Sequence, residues 1–239
     1  MKIISSTGGS GSSFVAEQFK RMGWYVCLRP DGGKQKSTHT VEQIYTERTR
    51  PFYDSNIEGK QNTQKDLFNM AYEGLNGFNL PNLMQPPPRP LMLLCMSWGG
   101  MGFLNDLPEK TIFILRDPVF AYNSYSGGGW RKEGGQRRIK YVGASGPNDK
   151  VWIDAFLGDF SMWIDGAKNA LQAHNNGTGH IVRYHKFAED WKKIDNVPPI
   201  YQGFSAKDKE EKLEGFLTEE TIKYIREKTN DIWLAIDGL

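Results

Sequence analysis

The stretch KIISSTGGSGSSFVAEQF, residues 2–19, passes from a short apolar run through a turn of glycine and serine into an amphipathic helical pattern. KIISS (2–6) has the length and composition of a buried strand. Gly8, Gly9 and Gly11 let the following backbone curl so that successive N–H groups point inward, and the helix that starts at Ser12 and Ser13 adds its positive end. Such a turn suits a phosphate group. A plain tight turn, with one needed glycine and serine caps, is the competing reading. Two nucleotide motifs are excluded at once. G-x-x-x-x-G-K-[ST] requires a lysine where this chain has Ser12, and G-x-G-x-x-G fails because Phe14 occupies the third glycine position after Gly9-Ser10-Gly11.

Four more runs read as strands: WYVCL (24–28), LMLLC (91–95), TIFIL (111–115) and HIVRY (180–184). Helical patterns lie between them, at 12–23, 38–50, 63–76, 118–126, 151–173 and 186–194, and a last one over 217–236 starts at Thr218. Strand alternating with helix predicts an α/β domain, an open and mainly parallel sheet of about five strands flanked by helices. In the 151–173 pattern Trp152, Phe156, Phe160 and Trp163 share one side and are expected in the core. The proline-rich segment 75–90, the glycine-rich segment 127–149 and the segment 195–217 break the periodicity. Residues 127–149 are expected to form a mobile basic loop within a single domain spanning 1–239. Asn176-Gly177-Thr178 reads as a turn closing the long helix.

The chain has 239 residues, 38% of them apolar, with 30 Lys and Arg against 28 Asp and Glu, a net charge of +2. That size supports a full core. No apolar run approaches the ~20 residues of a membrane span, and MKIISSTGG has neither a basic region nor a long apolar stretch, so a soluble cytoplasmic protein is expected. The near-neutral balance disfavours a general nucleic-acid binder. Cys27 and Cys95 sit in apolar runs with no Cys or His nearby, which supports neither a disulfide framework nor a metal site.

TIFILRDPVFAYNSYS (111–126) carries a second signal: Arg116 at the carboxyl end of a strand, then a proline that opens a helix, then Ser124 two turns along it. Ligands of open parallel sheets bind at that edge. A guanidinium and a hydroxyl eight residues apart across the turn can converge on one phosphate. The alternative pairs Arg116 with a local acid and leaves Ser124 to solvent.

Together the two segments resemble the sulfotransferases that use 3′-phosphoadenosine 5′-phosphosulfate (PAPS). In that family the first strand leads into [RK]-S-G-[ST]-[ST], which Ser10-Gly11-Ser12-Ser13 matches at four places, and a later strand ends in R-[DN]-P with a serine eight residues after the arginine, as at Arg116 and Ser124. HIVRYHKFAEDWKKI (180–194) is similar to the family's late RYEDL-x-x-D-P segment. The resemblance implies a P-loop-like nucleotide-binding fold and transfer of a sulfuryl group from PAPS, leaving adenosine 3′,5′-bisphosphate, to a hydroxyl or amine of a carbohydrate or small molecule. It assigns Gly8, Gly9, Ser10, Gly11, Ser12 and Ser13 to the 5′-phosphosulfate, and Arg116 and Ser124 to the 3′-phosphate, with no metal. A non-catalytic module binding the nucleotide or an anionic glycan, and a divergent nucleotide-dependent kinase, are the alternatives.

The chain departs from the family at named places. Gly9 stands where the family has Lys or Arg, Ser97 and Trp98 occupy the region of its catalytic histidine, and its C-terminal R-K-G segment has no counterpart at the C-terminus. For a general base the candidates are Asp31 and His39, the first carboxylate and first imidazole beyond the second strand, each with a plain surface role as alternative. RKEGGQRRIK (131–140) sets five cations against the carboxylate of Glu133, a net +4. It is read either as a solvated loop or as a lid or cradle for an anion, with Trp130 and Tyr141 placed to stack on a sugar or base.

Overall fold

The computed structural model describes residues 2–11, 15, 25–26, 91–96, 110–128, 132–160, 163–197, 199–200, 213 and 215–239. The chain has a mixed α/β architecture with parallel strands flanked by helices. Strands β1 (Lys2–Ser6), β4 (Thr111–Leu115) and β5 (Gly179–Arg183) lie side by side, with Ser5 opposite Phe113 and Ile114 opposite Val182. On the far side of β1 pair the backbones of β3 (Leu91–Met96) and then β2 (Tyr25–Val26), giving the order β2-β3-β1-β4-β5.

Strand β4 is buried at every position, as a run of β-branched and aromatic residues requires when both faces of a sheet are covered. Phe113 and Leu115 face a core shared with α1 (Pro118–Ser126), α3 (Lys150–Ala155), α4 (Trp163–Asn175) and α6 (Glu219–Asp237). Ile112 and Ile114 face the other side, where Ile4, Val15 and Val182 meet Phe187 and Trp191 of α5 (Phe187–Trp191). The Phe187 and Trp191 rings stack at 5.0 Å. At about 1.5–3 kcal/mol per buried large apolar side chain, this one strand is a major contributor to stability. Helix α4 lies close over β5 because its inward residues are Ala167, Ala170 and Ala173. A Cβ on Gly179 would stand 2.9 Å from that of Ala173.

Two expectations are corrected. The 151–173 pattern is not one helix: α3 gives way to a π-helical turn over Phe156–Phe160 before α4 begins. Gly158 at its middle is a poor helix former, and the wider turn inserts an extra residue. Trp152, Phe156 and Trp163 are still fully buried, while the side chain of Phe160 lies outside the described residues. The second correction concerns 127–149, read as an irregular loop. It contains helix α2 (Lys132–Tyr141). Gly135 serves close packing there, since a Cβ would come within 2.1 Å of the Ser126 carbonyl oxygen. Ile139 is buried, and Arg138 stacks 4.1 Å over the Tyr125 ring while its Nη1 donates to the Tyr125 carbonyl at 2.8 Å.

The link from α2 to α3 is tied down as well. Tyr122 donates its hydroxyl to the Pro147 carbonyl. Burial pushes that phenol up, against the Ser126 hydrogen bond, and the Asp149 charge adds to the rise. Asp149 caps α3, and its bonds from the Ser145 and Val151 amides and the Ser145 hydroxyl hold its carboxyl below the ordinary range. Asn148 accepts from the Thr218 amide at 2.9 Å, which joins this link to the start of α6, where Thr218 is the N-cap. Gly177, at φ +72°, closes α4 in the turn that the Asn-Gly-Thr triplet led one to expect. The expected helices at 38–50 and 63–76 and the proline segment before 91 lie outside the described residues.

Candidate functional site

In the order β2-β3-β1-β4-β5 the strand that follows β1 in the chain lies to one side of the β1–β4 pair and the strand that follows β4 lies to the other. In a parallel sheet the carboxyl ends at such a switch of direction are where ligands bind. Both sequence motifs fall there.

After β1, Thr7 and Ser10 close a turn through a 2.6 Å hydroxyl–hydroxyl hydrogen bond and a bond from the Ser10 amide to the Thr7 carbonyl. Gly9 and Gly11 have φ of +83° and +89°, the left-handed region that residues with a Cβ rarely adopt. Space imposes the same choice. A Cβ on Gly9 would lie 2.2 Å from the Ala121 carbonyl oxygen of α1, and one on Gly11 would lie 2.6 Å from Cε2 of Tyr184. The Val15 amide then donates to the Gly11 carbonyl at 3.2 Å, a bond of helical spacing. Gly8 is buried. Ser12 and Ser13 lie outside the described residues.

After β4, Arg116 reaches across to this turn: its Nη1 donates to the Gly9 carbonyl at 3.1 Å. The guanidinium sits 4.6 Å from the centroid of the Tyr184 ring, a cation–π distance. Its backbone carbonyl accepts from Nε1 of buried Trp163 at 3.1 Å. The local acid that sequence reading offered Arg116 is committed elsewhere. Asp117 caps α1 through the Val119 and Phe120 amides, and its second oxygen meets Arg226 of α6 at 2.6 Å. Ser124 is half-buried and stands one helical turn beyond Ala121, the residue against which Gly9 packs. The structure therefore brings together Gly8 to Gly11, Arg116 and the helix that carries Ser124.

Asp31 and His39 fall outside the described residues, as do Arg131 and Trp130 of the basic segment. Arg137 and Lys140 are exposed on α2, and Tyr141 is 82% exposed. Sequence reading placed Trp163 in the core without linking it to Arg116, and did not single out Tyr184 or Arg226. For Tyr184 a signal existed: it follows directly on β5, the neighbour of β4, at the same carboxyl edge. The segment after β5 is itself held firmly. Asp190 takes two charge-assisted bonds from the Arg183 guanidinium, at 2.6 and 2.7 Å, and a third bond from the Arg183 amide, with both side chains about 4% exposed or less. Burial works to raise the Asp190 carboxyl, but the bonds from Arg183 and Lys193 outweigh it and hold the group below the ordinary range.

Among the described residues no group of three or more His, Cys, Asp or Glu side chains could hold a metal ion, and no helix is long and apolar enough to cross a membrane. The chain matches no protein-family model and no curated protein.

Proposed function

We propose that this chain is a PAPS-dependent sulfotransferase on a P-loop-like fold, acting on a hydroxyl or amine of a carbohydrate or small molecule. The observation that carries the reading is the hydrogen bond from Arg116 to the Gly9 carbonyl, which joins two separately recognised anion motifs at the carboxyl edge between β1 and β4. The two left-handed glycines fit the nucleotide: at positions 9 and 11 the turn offers bare backbone, of the kind against which an oxyanion can approach amides. Gly8 to Ser13 would hold the 5′-phosphosulfate, and Arg116 with Ser124 the 3′-phosphate.

PAPS supplies the sulfuryl group that passes to the acceptor. The chain's own part is positional and electrostatic: fixed amides and a guanidinium aimed at the anionic ends, pre-set by Trp163 and Tyr184. The acceptor proton needs a base, for which Asp31 and His39 are the candidates. Calorimetry with adenosine 3′,5′-bisphosphate and ATP tests the assignment, with labelled PAPS offered to a panel of acceptors. Micromolar binding of the bisphosphate, much weaker binding of ATP, and label in an acceptor support it. Equal affinity for ATP points to a kinase, and bisphosphate binding without transfer points to the binding module. Binding of neither overturns the reading.

A further inference from the structure

Resting on that reading, we infer that Arg116 serves both anionic ends of the nucleotide: besides the 3′-phosphate, its guanidinium supplies the positive charge of the Thr7–Gly11 turn. The turn has no cation of its own, and neither do Ser12 and Ser13 after it. Position 9 cannot carry one, because any side chain there starts 2.2 Å from the rigid carbonyl of Ala121, on a backbone at φ +83°. The charge arrives instead from β4, with Nη1 of Arg116 3.1 Å from the oxygen of that same glycine.

Tyr184 fixes this charge in place. Its ring underlies the guanidinium at 4.6 Å and also closes against Gly11, so the cation is held between the turn's two left-handed glycines. The neighbouring carboxylate of Asp117 turns the other way, to Arg226 at 2.6 Å. An anion seated on the turn amides is then within a few ångströms of a partly buried positive charge, where attraction is weakly screened.

The test compares PAPS with adenosine 5′-phosphosulfate, which lacks the 3′-phosphate, by calorimetry on the full chain. Arg116→Ala is expected to weaken adenosine 5′-phosphosulfate at least tenfold and PAPS by more, while Ser124→Ala weakens PAPS and spares adenosine 5′-phosphosulfate. Arg116→Lys, which keeps the charge should the alanine variant fail to fold, is expected to lower both affinities together and by less. Loss confined to PAPS in the Arg116 variants overturns the inference and leaves the proposed function standing. So does a wild-type protein that binds PAPS but not millimolar adenosine 5′-phosphosulfate, since a turn charged by Arg116 must hold the 5′ end without help from the 3′-phosphate. A wild type that binds neither nucleotide overturns the function itself.

Discussion

Replacing Gly9 by alanine tests whether the first turn is clamped against α1. The left-handed backbone at φ +83° costs an alanine about 1–2 kcal/mol. The new Cβ would start 2.2 Å from the Ala121 carbonyl oxygen, 2.9 Å from its carbonyl carbon and 3.1 Å from its Cα, all backbone atoms that cannot rotate away. Overpacking of that kind costs about 1–3 kcal/mol more. Gly177→Ala is the control, with φ +72° and nothing within 4 Å of its Cβ. The two variants share the left-handed cost and the gain of about 0.4–1 kcal/mol from a stiffer unfolded chain. Their difference therefore isolates the Ala121 contact, and urea denaturation should place Gly9→Ala about 1–3 kcal/mol below Gly177→Ala. Should the turn instead shift outward to relieve the clash, the Arg116 contact breaks and nucleotide affinity falls while stability is spared. Equal stability of the two variants together with unaltered binding by Gly9→Ala would refute the clamp.

Other consequences can be measured separately. Asp190→Asn leaves the buried Arg183 charge without its carboxylate and should cost about 3–5 kcal/mol in equilibrium unfolding. Because the folded Asp190 carboxyl titrates below its ordinary 3.8, the folded chain binds fewer protons than the unfolded one in that range. The stabilisation is complete above pH 4, roughly, and drains away as the pH falls toward the lower folded value, so wild type and Asp190→Asn should converge on acidification; a gap that stays constant to pH 2 would contradict this. Trp163→Phe removes the donor to the Arg116 carbonyl and should cost about 1 kcal/mol beyond the change in packing, with a severalfold loss of nucleotide affinity measured by calorimetry.

Where local pattern and tertiary demand coincide, the sequence is easy to read. TIFIL and PVFAYNSYS form a strand and a helix over the residues expected, because an apolar β-branched run and a proline after a capping aspartate have few other uses. Arg116 was visible for the same reason. Gly134 and Gly135 misled, since a glycine that permits a close approach looks the same in sequence as one that frees a loop. Only the Ser126 carbonyl opposite Gly135 tells them apart. Tyr184 and Arg226 contribute through contacts from distant segments, and no periodicity encodes which residue a ring or a guanidinium will meet.

The two faces of the sheet differ in where their residues come from along the chain, and that sets an order of assembly. Among the described residues, the core under α1, α3, α4 and α6 draws its buried side chains from Phe113 to Ile236, whereas the opposite core includes Ile4 and Val15 as well. The bond between Arg116 and Gly9 spans 107 residues of sequence, and closing so long a loop is entropically costly until something waits to receive it. The platform of β4, β5 and their helices is thus expected to gather first, with β1 and its turn docking as a late, rate-limiting event. In pulse-labelled hydrogen exchange during refolding, the amides of Phe113 and Leu115, which share with Thr111 the side facing β5, should gain protection before those of Ile4 and Ser5, and simultaneous protection would argue against staged assembly.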